Sequence, residues 1–269
     1  MAASPTTTLA GQDTLLSCWQ ALANTGFGPG VLVATPHAIA AVFPESPYFN
    51  NAILTGGIES AEPAAAAVAH LYAEAGIASW ALWVPSEATA FDGVTDGLDA
   101  VGPLTRDVTT LVMELDLTAL PRRDERVRTV SSTALRRLTS DEAVPADELG
   151  HAAPGTPVTG WALVERGQAV VSAFTHRSGR DLGIYAVGTL PPWRRRGLAR
   201  VLVEHILADA HSAGARTASL QSTPMGQSVY DALGFRTVGR YEEWVYSPAA
   251  NSAGPIRERC AAGREQPRR

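Results

Sequence analysis

Between Thr189 and Arg200 the chain reads TLPPWRRRGLAR, three consecutive arginines running into Gly197, Leu198 and Ala199. The apolar residues that follow recur at helical spacing, so a helix begins near Leu198. A helix start carries N–H groups without intrahelical partners and a partial positive charge. Arg194, Arg195 and Arg196 are electrostatically misplaced there unless an anion joins them. Small residues at 197 and 199 let a ligand approach the main chain, where successive N–H groups and the helix dipole bind phosphate. The pattern Arg-x-x-Gly-x-Ala is short, and a solvated arginine cluster or a nucleic-acid patch are its plainer readings.

The charge distribution favours a local anion site. The chain has 269 residues, formal net charge −5, and no lysine. Residues 1–105 hold nine acids and no arginine, a charge of −9; residues 106–269 hold 22 Arg against the other 18 of 27 acids, a charge of +4. A polyanion would meet the second half. Without lysine, a P-loop phosphate site and Schiff-base chemistry are excluded. An overall pI of about 5.7 and the lack of aromatics interleaved with the arginines argue against nucleic acid. Cys18 and Cys260 are isolated, which points to a reducing cytoplasm rather than a disulfide framework or zinc site. No apolar run approaches a membrane span, and the first residues do not fit a signal peptide.

Periodicity and turn residues predict the elements that position this motif. Helices are expected at 12–24, 62–75, 93–100, 198–213 and 227–233, with a partly helical stretch at 131–149. Strands are expected at 31–34, 38–43, 52–54, 79–84, 109–117, 127–130, 159–165, 169–176, 182–190, 217–221 and 235–246. PRRDER (121–126) reads as a joint, and the two sides of it share an element order. At the corresponding junction the first side has TGGIESAEP (55–63), two glycines with two acids and no base. That junction repels a phosphate. From 248 onward the sequence lacks apolar periodicity and reads as a disordered tail.

Two stretches together carry a resemblance. GIYAVGTLPPWRRRGLARVL (183–202) resembles the acyl-CoA-binding strand, turn and helix of the GNAT N-acetyltransferase superfamily. Downstream, SLQSTPMGQSVYDALGF (219–235) resembles its next strand and the helix ending in Tyr-x-x-Leu-Gly-Phe. The fold this implies is α/β: two GNAT-like halves, with mixed, mostly antiparallel sheets flanked by helices. Residues 1–120 would be a degenerate half without a cofactor site, 125–247 the catalytic domain and 248–269 the tail.

The resemblance also implies roles. Val187, Gly188, Thr189 and Leu190 would pair with the pantetheine arm of acetyl-CoA. The main chain and side chains of Arg194, Arg195, Arg196, Gly197, Leu198 and Ala199 would hold its phosphates. The N–H of Leu190 would polarise the thioester carbonyl, and Tyr230 would protonate the leaving thiolate. No metal is called for. Glu165, His176, Asp181, Glu242 and Glu243 lie in or beside strands, and none stands out as the base. His205 and His211, six apart, do not share a helix face. Trp19, Trp80, Trp83, Tyr48 and Phe49 are candidates for an acceptor pocket built from the first half, or for core. The implied reaction is direct acetyl transfer in a ternary complex to a small-molecule primary amine, a cationic acceptor suiting the acidic first half. A protein lysine or N-terminus, or a catalytically silent acyl-CoA sensor, are the alternatives. The oligomeric state is left open.

Overall fold

The computed structural model describes residues 9–24, 29–46, 49–87, 104–107, 109–118, 122–140 and 142–246. The expected helix at 93–100, Tyr48, Cys260 and the tail lie outside them. Among the described residues, twelve strands form one sheet and five α-helices cover it. No described helix is long and apolar enough to cross a membrane.

The first half contains α1 (Gln12–Asn24), β1 (Val31–Ala34), β2 (Ala38–Val42), β3 (Asn51–Leu54), α2 (Ala61–Glu74), β4 (Trp80–Glu87), β5 (Leu104–Arg106) and β6 (Thr110–Asp116). The second contains β7 (Val127–Val130), α3 (Ser132–Thr139), β8 (Val158–Glu165), β9 (Gln168–Ser178), β10 (Asp181–Thr189), α4 (Leu198–Ser212), β11 (Thr217–Ser222), α5 (Gln227–Asp231) and β12 (Arg236–Tyr246). The three-residue β5 is too short to leave a periodic signal.

Each half has one parallel strand pair bridged by a helix: β3–α2–β4 and β10–α4–β11. Parallel neighbours need such a crossover, whereas the remaining antiparallel pairs do not. The sheet order is β1-β2-β3-β4-β12-β6-β11-β10-β9-β8-β7, with β5 on β12. Here chain order and spatial order part. β6, last strand of the first half, pairs with β11 from Thr217↔Asp116 to Ser222↔Leu111. β12, last strand of the second half, pairs with β4 from Gly239↔Glu87 to Tyr246↔Trp80. The two halves have exchanged their final strands, which also pair with each other. The mixed, mostly antiparallel sheets of the two halves are thereby joined into one.

Alternation along the strands divides the core. On one face Leu82, Val84 and Trp244 pack with Val68 and Tyr72 of α2, and Met113, Leu163 and Ile184 pack with Leu202 and Ile206 of α4. On the other, Trp83, Val112, Tyr241 and Tyr185 belong to a single cluster with Leu15, Trp19 and Leu22 of α1. Helix α1 touches β1 at one edge and β8–β10 towards the other, so the sheet curls around it. An aromatic chain crosses the same interior: Phe43 to Phe49 at 5.6 Å, Phe49 to Phe174 at 6.4 Å and Phe174 to Tyr185 at 5.4 Å. Trp80 is stacked between Tyr72 and Tyr246 at 5.4 and 5.3 Å. Trp19, Trp80 and Trp83 are therefore core, not an acceptor pocket.

The joint at 122–126 is fastened rather than loose. Asp124 accepts three hydrogen bonds from Arg126, at 2.9, 2.9 and 2.7 Å, and its own N–H donates to His205 Nδ1 at 3.0 Å. Arg126 also pairs with Glu165, and Arg123 with Asp209 of α4 at 3.1 Å. The Arg126 hydrogen bonds hold the Asp124 carboxyl down at about 2. A depressed carboxylate adds stability above its unfolded value, and that stability disappears as pH falls through the folded value. Acid melts should therefore show the parent losing its advantage over Asp124→Asn between about pH 4 and about pH 2. A constant gap across that window would mean that the carboxylate does not bind its proton this reluctantly.

Candidate functional site

The parallel ladder of β10 and β11 runs from Asp181↔Thr217 to Ile184↔Leu220 and stops. There β10 slips by one residue against β9, between Tyr185 and Gly188, with Ala186 at φ +50°. An extra residue of this kind bends its strand. Gly188 and Thr189 keep β9 but lose β11, while Gln221 and Ser222 keep β6. A wedge opens within the sheet, and main-chain groups of β10 line one side of it.

One expected donor does not face this wedge. The N–H of Leu190 donates to the Val170 carbonyl at 3.0 Å, which continues the antiparallel ladder and uses up the donor assigned to the carbonyl. Successive residues of such a ladder point their N–H groups to opposite sides, so the group facing the wedge is that of Thr189. The correction is one residue, and its cause is strand alternation.

The turn beyond Leu190 is tightly built. Pro191–Trp193 forms a 3₁₀ turn, with the Trp193 N–H on Leu190 O at 2.8 Å and that of Arg194 on Pro191 O at 3.3 Å. Arg195 has φ +60° and Gly197 φ +72°, a backbone that turns neighbouring N–H groups into a common concavity. The first helical bond of α4 runs from Val201 N–H to Gly197 O at 3.2 Å. The N–H groups of Leu198, Ala199 and Arg200 precede it and are the unsatisfied donors of the helix start. The first turn carries no acid, and nothing lies within 4 Å of where a Gly197 Cβ would be. Arg194 Nε donates to Thr189 O at 2.9 Å and Arg196 to Pro192 O at 2.9 Å, while its guanidinium sits 5.0 Å from the Trp193 ring centre. Two arginines thus brace the turn. Arg195 makes no hydrogen bond among the described residues and is fully available to a ligand.

Tyr230 lies on α5 with its ring buried and edge-on to Phe235 at 5.8 Å. Burial pushes its hydroxyl up to about 12, so it keeps its proton at neutral pH. It shares one core cluster with Val187, Leu198 and Ala199. The structure therefore brings strand end, turn and tyrosine to the same side of the sheet.

Each candidate base has a partner, although Glu242 keeps its buried Oε2 unpaired. Glu165 pairs with Arg126, Glu242 with Arg106 at 3.2 Å, and Glu243 with Thr110. His176 bonds Ser17 at 2.8 Å and the Pro157 carbonyl at 2.7 Å, and Asp181 accepts from Thr217 at 2.8 Å and Ser219 at 2.6 Å at the closed end of the ladder. A cleft of about 270 Å³ lies between β8–β10 and the end of α4, lined by Trp161, Thr175, Arg177 and Asp209 among others. It includes no residue of the wedge or turn. In the first half, the N–H groups of Thr55 and Gly56 both point at the His37 carbonyl, at 2.8 and 3.4 Å. The N–H groups of Thr55 and Gly56 are thus bonded within the first half.

Residues 139–244 match the family model described as an acetyltransferase (GNAT) domain. No curated protein matches the sequence. Among solved structures, a GCN5-related N-acetyltransferase from Kribbella flavida is 14% identical with a TM-score of 0.63, covering 94% of this chain and 99% of the other. A functionally unknown conserved protein from Staphylococcus epidermidis is 12% identical at 0.57, covering 82% and 96%. A tandem GNAT protein from the clavulanic acid biosynthesis pathway is 12% identical at 0.51, covering 84% and 85%. At these identities the likenesses establish fold, and the family model adds the domain. The chain thus has the GNAT fold, and its residues 139–244 match an acetyltransferase (GNAT) domain.

Proposed function

We propose that the second half is an acetyl-CoA-dependent N-acetyltransferase acting on a small-molecule primary amine. The observation that carries this reading is the wedge and the cationic turn on one side of the sheet, with a protonated tyrosine beside them. The donor set suits a long thioester bearing phosphates: strand-edge N–H and C=O groups for an amide-containing arm, then helix-start N–H groups and arginines for phosphate. Acetyl-CoA would supply an activated acetyl group. Val187, Gly188 and Thr189 would hold its arm, and Arg194 to Ala199 its pyrophosphate. The N–H of Thr189 would steady the charge that builds on the acetyl oxygen. Tyr230 would deliver a proton to sulfur as the C–S bond breaks and nitrogen takes the acyl carbon. Orientation within the ternary complex provides much of the acceleration. The amine would shed its proton to water. We assign one site per chain, because the first-half junction carries two acids and no counter-charge.

A second reading is a silent acyl-CoA sensor, favoured by the partners that the candidate bases already have. Tyr230→Phe separates the two. The ring and its packing on Phe235 stay, so acetyl-CoA affinity should hold. Turnover should fall by about 10²-fold, the lower end of what general acid catalysis contributes, because a CoA thiolate leaves moderately well. Thiol release from acetyl-CoA across a panel of amines and lysine peptides measures this. Tight acetyl-CoA binding with no acceptor consumed would establish the sensor, and a lysine peptide outperforming every small amine would transfer the activity to protein substrates.

A further inference from the structure

Arg166 occupies a costly position. Glu165 and Gln168 pair across the β8–β9 hairpin, leaving Arg166 and Gly167 as a two-residue loop at φ +48° and +80°. Both loop residues of such a turn are left-handed, which asparagine and glycine tolerate and arginine does not. The tip is also held firmly. The Gly167 carbonyl accepts from Ala146 N–H at 2.9 Å, Ala169 N–H donates to Val144 O at 2.9 Å, and Glu165 is tied to Arg126. From this fixed loop the guanidinium of Arg166 lies 5.8 Å from the centre of the Trp193 ring, the ring that Arg196 also covers at 5.0 Å. The β8–β9 hairpin thus brings a fourth cation to the arginine turn, across the ring of Trp193.

Four guanidiniums exceed what a pyrophosphate needs. It carries about two negative charges, and a phosphomonoester adds about 1.5 to 2 more. The turn's own N–H groups and arginines serve the former. We propose that Arg166 reads the phosphomonoester that distinguishes coenzyme A from its dephospho form, the 3′-phosphate of the ribose. Trp193 acts as the spacer that holds Arg166 beside, rather than within, the pyrophosphate turn. This inference rests on the acyl-CoA reading of the site.

The test is Arg166→Asn in the full chain, since asparagine suits the left-handed loop and the fold should keep or gain thermal stability. Affinities for acetyl-CoA and for acetyl-3′-dephospho-CoA are measured by calorimetry in parent and variant. A charge-assisted hydrogen bond to phosphate is worth about tenfold or more. The parent should therefore prefer acetyl-CoA by about that factor, and in Arg166→Asn the ratio of the two affinities should fall to about one. A parent without the preference, or a variant that retains it, overturns the assignment. An equal loss on both ligands overturns it too, because Arg166 would then merely shape the turn. If the parent binds neither ligand, the acyl-CoA reading itself fails, a result distinguishable from all of these.

Discussion

Residues 122–246 expressed alone should give no cooperative unfolding transition and no acetyl-CoA binding, although every motif of the proposed site lies within them. The reason is the strand exchange. In the intact chain β6 lies between β11 and β12; without it both strands lose their ladder on that side and expose unpaired edges. Met113 and Leu117 leave the α4 core, where both are buried, and Leu111 and Leu115 cease to pack on it. Each fully buried apolar side chain contributes about 1.5–3 kcal/mol, against a total stability of about 5–15 kcal/mol for a domain. The opposite face loses α1 as well, with Leu15, Trp19 and Leu22. Those losses together are comparable with the whole of that stability. Circular dichroism melts of the fragment test this, and supplying residues 1–121 in the same cells should recover a soluble pair. A fragment that melts cooperatively and binds acetyl-CoA like the parent would show that the exchanged strand is dispensable.

Gly197→Asp should nearly abolish acetyl-CoA binding while leaving the fold intact. The space a Cβ would enter is empty, so no packing is disturbed. A left-handed residue at φ +72° costs any side chain something, on the order of 1–2 kcal/mol, with aspartate among the more tolerant. The large term is electrostatic. A carboxylate would sit at the helix start where the phosphates belong, and like charges so placed cost on the order of several kcal/mol. Calorimetry should give one acetyl-CoA per parent chain and no measurable binding in the variant. Gly197→Asn carries the same backbone cost without the charge and should retain most of the affinity. If the aspartate variant binds like the parent, the phosphates sit elsewhere. If parent stoichiometry is two, the first half is not silent.

What the sequence by itself determined is local. The helix at Gln12–Asn24 and strands such as Val31–Ala34 and Val127–Val130 fall where periodicity puts them, because alternation and helical spacing record which face each residue buries. The backbone of the arginine turn was legible for a similar reason: Gly197 ahead of a helix suits a left-handed residue, and it has φ +72°. Tertiary structure decided whatever depends on which strands meet. The slip between Tyr185 and Gly188 is a property of the β9 partner, and it determines that Thr189 rather than Leu190 faces the wedge. The place of β6 beside β11 and of β12 beside β4 leaves no periodic trace, because an alternating strand is equally amphipathic beside either neighbour. The aromatics of the first half read equally well as pocket or core; α1 packs Trp19 and Trp83 into one face of the sheet, and α2 packs Trp80 into the other. Arg166 looked like any hairpin arginine. Its meaning came from Trp193, reached across a sheet that no spacing along the chain encodes.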